Sequence, residues 1–515
     1  MRHLIPLLVS FVAACGSKQP ATPDAEAPAA PAESVPPDAA TPAAPPDAAA
    51  PAAPPDATLP APASTYYLGR MSLPQGIPVK MLVTVTGASA TLDVPLQHLV
   101  AAPLTAVVTD DSTIAFDFLP KGAPAAATNH FKAAKQADGS FDGTVTIGDA
   151  HLPIRFTVAA GPEALVAQRP QTPQPPFAYK NEELRVQATP DVALGCTLTL
   201  PATPGPYGAV LMLTGSGVQD RDETIFDHKP FLVIADALAK AGVASVRCDD
   251  RGAGQSGGDP SAVDADVFVA DAEAVLAAVR LRPEIDPLHI GVLGHSEGGM
   301  TAAALVKKPD NHIAFVVTMS GPAQTGRQIL ARQNRDLVLA QGAKAAAADA
   351  IEKAVDAYFG AVAAAPSGDD PAVAAAAKSA AEIVNGTIEG EVAPQLSVSA
   401  LTSTFTALAR QKWLKGFVAA DPAHDLAHTS VPILALFGEK DTQVRAPENV
   451  AALQSAFADV KDADLTIKVI PGANHLYQDA TTGAVAEYDE IEQTINPATL
   501  GLMVDWIAHH AGAKK

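Results

Sequence analysis

Residues 289–308 read HIGVLGHSEGGMTAAALVKK, and their reading decides the fold. An apolar strand, HIGVLGH, runs straight into a tight turn at Ser296, and a run of helix formers starts at once and lasts until Pro309 stops it. A serine on such a strand–turn–helix junction has the form of a nucleophile elbow, in which the turn projects the hydroxyl and the glycines let neighbouring backbone close in. The Gly-x-Ser-x-Gly pattern is weak without that context, because a chain of this length shows it by chance about one time in ten. It occurs again at GQSGG, residues 254–258, but there the strand has already ended at Asp249 and Pro260 delays the next helix. Ser256 therefore reads as a loop residue, and Ser296 as the nucleophile.

Working outward, apolar strand runs alternate with helix-length segments beyond Glu183: AVLMLTG, FLVIADALAKAG, VASVRCDD, VFVADAEAVLAAVRL and AFVVTMSG. Such alternation predicts a mainly parallel sheet covered by helices on both faces, an α/β fold. Between residues 321 and 430 the strands stop and Ala-rich helical pattern takes over, which predicts a helical cap inserted between a first part at 180–320 and a second part at 431–515. Upstream, residues 65–165 hold short alternating runs separated by Gly, Pro and Asp, the pattern of a small all-β domain, a sandwich or a barrel.

A serine nucleophile needs a base, and the base needs a carboxylate to orient it. In a parallel sheet all strand C-termini reach one edge, so residues just past them converge. VPILALFGEKD places Asp441 after one later strand, and LTIKVIPGANH places His475 after the next. Ser296, Asp441 and His475 follow the chain order expected of this architecture. Glu439 is the competing acid. His295 neighbours the nucleophile and is expected to point elsewhere, while His424, His428, His509 and His510 fall in the cap or the terminal helix. The oxyanion hole is expected from the backbone N–H groups of Glu297 and Ser216, the latter flanked by Gly215 and Gly217, with Gly217 and Val218 as alternatives to Ser216.

The motifs GSGVQDRDET, DDRGAGQSGG, GHSEGG, FGEKDTQV and PGANH, taken in order, resemble those of bacterial EstD-like carboxylesterases over roughly residues 65–515. The resemblance implies an α/β-hydrolase with a helical cap behind a small β-rich domain, acting on carboxylic esters through Ser296, Asp441 and His475 without metal or cofactor. It also implies that the DDRG-x-G-x-S stretch is a structural loop. Cys248 departs from the pattern, where an aromatic residue is expected. The same triad could serve a peptidase or thioesterase, and a non-catalytic envelope protein is the reading from another class.

The chain begins MRHLIPLLVSFVAACGSK: a short basic start, an apolar run too short to span a bilayer, and Val12-Ala13-Ala14-Cys15, which resembles the lipobox of bacterial lipoproteins. This implies a signal peptide at 1–14, lipid attachment at Cys15 and an exported protein held at the cell envelope, touching the membrane through that anchor only. Residues 15–64 are mostly Ala, Pro and Asp with a few Ser, Thr and Glu, and PPDA recurs every nine residues, which predicts a disordered tether able to reach about 150 Å. The formal net charge of −21 argues against a nucleic-acid partner. Cys196 and Cys248 sit in apolar strand-like runs and read as small free hydrophobes, although an exported protein would permit a disulfide. Substrate identity and oligomeric state are not encoded in any pattern of the sequence.

Overall fold

The structure is a computed structural model, and it describes residues 63–72, 78–97, 99–148, 150–165, 168–340, 343–388 and 397–513. The expected signal peptide, Cys15 and nearly all of the expected tether lie outside the described residues. The chain forms two compact units, one drawn mainly from residues 80–165 and the other from 166–515.

The first unit is all β: β1 (Ser64–Ser72), β2 (Pro78–Thr86), β3 (Ser89–Val94), β4 (Leu99–Pro103), β5 (Thr105–Thr109), β6 (Thr113–Phe118), β7 (Asn129–Lys135), β8 (Phe141–Ile147) and β9 (Ala150–Ala159). They make one sheet in the order β4-β3-β2-β1-β9-β8-β7-β6-β5. The two edge strands, β4 and β5, are separated in sequence by Leu104 alone. One intervening residue spans at most about 7 Å between Cα atoms, so the end of β4 and the start of β5 lie close together at Leu104. Alternate residues fill the interior, as Ile114, Phe116 and Phe118 do along β6. Phe116 stacks on Phe131 with ring centroids 4.5 Å apart, and Phe156 meets Phe116 edge-on.

The second unit carries eight strands: β10 (Lys180–Thr189), β11 (Val192–Leu200), β12 (Tyr207–Leu213), β13 (Ala244–Cys248), β14 (Ile285–His295), β15 (Val316–Met319), β16 (Ile433–Gly438) and β17 (Leu465–Ile470). Their order in the sheet is β10-β11-β13-β12-β14-β15-β16-β17. The expectation of a mainly parallel sheet needs amending. The β10–β11 and β11–β13 pairs are antiparallel, and only the run from β13 through β12 and β14 to β17 is parallel. The sheet is mixed because β10 and β11 are joined by a hairpin, which only an antiparallel pair allows.

Helices α1 (Pro230–Lys240), α2 (Ala265–Arg280), α3 (Glu297–Val306), α10 (Ala446–Ala456) and α11 (Pro497–His510) cover the sheet. The central strands are apolar at nearly every position because both faces are covered. Along β12, Leu211 joins Val246, Val292 and Leu305 on one face, whereas Val210 and Met212 pack with Phe231, Leu238 and Met503 on the other. Local signals set the helix starts: the Asp264 side chain accepts from Val267 N, and Asn496 accepts from Ala498 N and Thr499 N.

Between β15 and β16 the chain leaves the sheet for α4 (Gly326–Ala340), α5 (Ala345–Ala364), α6 (Pro371–Ile388), α7 (Val398–Ala409), α8 (Lys412–Ala419) and α9 (Pro422–Ala427). These helices have a core of their own, in which Ile351, Val355, Tyr358, Phe405, Leu414 and Phe417 are buried. The buried Tyr358 hydroxyl donates to Phe405 O at 2.6 Å.

The cysteines differ from the expectation of free thiols. Cys196 and Cys248 are register partners on β11 and β13, and they form a disulfide. Strand pairing brought them together, and nothing in their spacing along the chain signals it.

Candidate active site

Ser296 stands between the last residue of β14 and the first of α3, with φ 51° and ψ −122°. A non-glycine residue held there is strained, and such strain persists only where the surroundings over-determine it. The surroundings do. A Cβ at Gly294 would lie 2.1 Å from Gly298 O, and one at Gly298 would lie 2.1 Å from Leu213 O. Glycine at both positions lets α3 start directly against β12. Ser296 N donates to Met319 O at 2.9 Å, tying the turn to the neighbouring strand.

Asp441 and His475 follow β16 and β17, and the structure brings them together. His475 Nδ1 lies 2.8 Å from Asp441 Oδ2, with both residues buried. The other carboxylate oxygen of Asp441 accepts from Gln443 N at 2.8 Å and Val444 N at 2.9 Å. Burial alone would raise the Asp441 pKa, but the charge and hydrogen bond of His475, with help from Val444 N–H and the Ser320 hydroxyl, hold it below the usual carboxylate value. The competing acid, Glu439, is occupied elsewhere: its Oε2 accepts from Gly472 N at 2.7 Å and braces a turn.

The loop after β12 carries Gly215, Ser216 and Gly217. The Ser216 hydroxyl hydrogen-bonds the Glu297 carboxyl, so the two residues expected to supply the oxyanion hole are neighbours. Burial raises the Glu297 pKa against the pull of that bond. Paired aspartates after β13 hold the loop. Asp250 accepts from Thr214 Oγ1 at 2.9 Å and Gln219 N at 2.8 Å, and burial pushes its pKa up to about 8. Asp249 takes Arg221 N and Arg221 Nη2, each at 2.8 Å.

Ser256 lies in the fold as a brace. Its hydroxyl donates to Asp249 O at 2.7 Å and accepts from Gly195 N at 2.9 Å.

The sequence reading missed the surroundings of His295, which does not point away from the site. Its Nδ1 lies 2.9 Å from Glu223 Oε1 and its Nε2 lies 3.1 Å from His475 O, with the two histidine ring centroids 4.8 Å apart. Tyr477, also missed, links strand ends: its hydroxyl donates to Leu436 O at 2.7 Å and accepts from Ser320 N at 2.6 Å. Nothing in the local pattern flags Glu223 or Tyr477, since each acts across a long sequence separation.

A cavity of about 500 Å³ opens beside Glu297 and the loop. Its walls are mainly apolar, formed by Val218, Val263 and Phe268 together with Leu408 and Trp413 of α7 and α8. Arg251 is also present, but its charge is already matched by Asp271 at 2.6 Å through two hydrogen bonds.

A family model described as "Serine aminopeptidase, S33" matches residues 229–478, a stretch that contains Ser296, Asp441 and His475. The chain is 28% identical over 158 residues to Esterase EstD of Thermotoga maritima, covering 31% of this chain and 36% of that protein. The similarity is to hydrolases. The chain thus spans about a third of the length of that relative. Among solved structures, an esterase from Pyrococcus furiosus overlaps 67% of this chain and 97% of its own at 15% identity, with a TM-score of 0.38. A proline iminopeptidase from Mycobacterium smegmatis overlaps 64% of this chain and 99% of its own at 18% identity, with a TM-score of 0.37. Both overlaps are loose and are reported as likenesses alone.

Proposed function

We propose that this protein is a serine hydrolase of carboxylic esters that works through an acyl-enzyme on Ser296. The observation that carries the reading is the buried 2.8 Å contact between Asp441 and His475, together with the contact from His475 O to His295, the residue just before Ser296 on its strained elbow. In this mechanism Ser296 Oγ attacks the acyl carbon as His475 takes its proton. Asp441 holds the imidazole in the tautomer that leaves Nε2 free to accept, and it stabilises the imidazolium that forms. The negative oxygen of the tetrahedral intermediate is received by backbone N–H groups of Ser216 and Glu297. His475 then returns the proton to the leaving alcohol, and a water molecule, activated by the same base, hydrolyses the acyl-enzyme.

The apolar cavity beside Glu297 suits a small substrate with an uncharged, apolar acyl or alcohol portion, and 500 Å³ is within the usual range for small-molecule sites. The second reading, a peptidase, draws on the description of the matching family model. Turnover of p-nitrophenyl esters and of amino-acid p-nitroanilides by the wild type and Ser296→Ala separates the two. Ester turnover lost in the variant is the expected result; turnover of anilides alone would favour the peptidase. On the sequence pattern at Val12–Cys15, we also place the enzyme at the cell envelope through a lipid on Cys15. Cys15→Ser should then release it from the membrane fraction, and an unchanged distribution would contradict that placement.

A further inference from the structure

Below the Asp441–His475 pair lies a second buried carboxylate–histidine pair that the mechanism does not use. Glu223 and His295 are 3% and 5% exposed. Glu223 Oε1 accepts from Gly215 N at 2.7 Å and faces His295 Nδ1 at 2.9 Å. His295 Nε2 meets the carbonyl oxygen of His475 at 3.1 Å. One carboxylate oxygen and one imidazole therefore join three elements: the oxyanion loop at Gly215, the strand that leads into Ser296, and the backbone of the base.

The chemistry of these contacts fixes the protons. A carbonyl oxygen only accepts, so Nε2 of His295 carries a hydrogen. Nδ1 faces a carboxylate, so a second proton lies between Nδ1 and Oε1. Burial would lower the His295 pKa, but the Glu223 charge and hydrogen bond outweigh it and hold the group above its usual value.

Several features of this pair are unfavourable for folding. Glu223 has φ 53°, its Oε2 is buried without a hydrogen-bond partner among the described residues, and a buried ion pair is weak evidence of net stabilisation. What the pair does supply is position. A Cβ at Gly215 would lie 3.1 Å from Glu223 Oε1 and 3.3 Å from Ser296 Cβ, so the loop residue held by Glu223 is the one packed against the nucleophile. A shift of the Gly215 N–H would move Ser216 N–H, the next donor along the chain, and donors of this kind act only when fixed close to the position of the oxyanion.

We propose that Glu223 and His295 are positioning residues that hold the oxyanion loop and the catalytic base in register around Ser296. The inference rests on the serine-hydrolase reading given above. It separates position from charge. Glu223→Gln keeps a carbonyl oxygen at the same reach, able to accept from Gly215 N–H while removing the charge that faces His295, whereas Glu223→Asp keeps the charge and withdraws it by one methylene.

The test is steady-state hydrolysis of p-nitrophenyl acetate by full-length wild type, Glu223→Gln and Glu223→Asp, with thermal unfolding and fluorophosphonate labelling of each. Glu223→Asp should lower kcat about 100-fold, the scale of losing one oxyanion donor, with KM nearly unchanged and slower labelling. Glu223→Gln should restore most of kcat. Wild-type kcat in Glu223→Asp, or parallel loss of kcat and thermal stability in both variants, would overturn the proposal in favour of a purely structural role. Should Glu223→Asp fail to fold, His295→Gln gives the same reading, because loss of the link to His475 O should lower kcat and spare KM; unchanged kcat there would also overturn it. A wild type that neither labels nor turns over ester would remove the serine-hydrolase reading, and this inference with it, whatever the variants do.

Discussion

Residues 294–298 and 254–258 carry the same Gly-x-Ser-x-Gly pattern, yet the two serines have opposite surroundings. Ser296 sits at a strained φ of 51° on the junction of β14 and α3, its glycines allowing backbone contact with β12. Ser256 is buried, and its hydroxyl is spent on both sides, donating to Asp249 O and accepting from Gly195 N. One pattern sits on a strained strand–helix junction, where we propose the reacting hydroxyl; the other marks a hydroxyl that closes a loop. Yet the bracing loop is not remote from the chemistry. It includes Asp249 and Asp250, which hold the segment carrying the expected oxyanion donor. The difference teaches that a short motif gains meaning from the elements on either side of it.

The sharpest way to break the comparison is to exchange roles by mutation. Ser296→Ala should reduce ester turnover by roughly 10⁴–10⁶-fold while leaving the unfolding transition in place; steady-state kinetics beside calorimetry reads both. Asp441→Asn should preserve the contact geometry but favour the wrong imidazole tautomer, and kcat should drop about 10³–10⁴-fold. A drop of less than tenfold would move the orienting role to another acid.

On the bracing side, the effects should appear in stability. Asp250 has its pKa raised to about 8, above the 3.8 of an unperturbed carboxyl, so the folded state holds its proton more tightly than the unfolded one. Its contribution is therefore complete below pH 3.8 and is lost as pH rises through about 8. Within that window it should erode stability by up to about 1.4 kcal/mol per pH unit. Denaturant titrations at pH 5 and 8 should show a flatter dependence in Asp250→Asn; an unchanged slope would mean that the carboxyl is already ionised. Ser256→Ala should have the smallest effect. It leaves Gly195 N and Asp249 O unpaired at a cost of about 1–3 kcal/mol, with turnover unchanged. Loss of turnover at full stability would instead return Ser256 to the list of catalytic candidates.

Much of this was legible in the chain. Strand-then-helix alternation announced the α/β unit because each element buries a face with its own period, and the break at Gly321 announced the helices between β15 and β16. Ser296, Asp441 and His475 could be picked out because each follows a strand that ends on one edge. The rest depended on distances between remote parts of the chain. The Cys196–Cys248 disulfide needs the antiparallel pairing of β11 with β13. Glu223 and His295 are 72 residues apart, and neither lies in a pattern that predicts the other.

The most direct test of the central claim is to treat the intact protein with a fluorophosphonate and map the adduct by peptide mass. The account predicts a single adduct on the peptide that contains Ser296, absent from Ser296→Ala. An adduct on Ser256, or an unmodified protein under conditions that label known serine esterases, would contradict it.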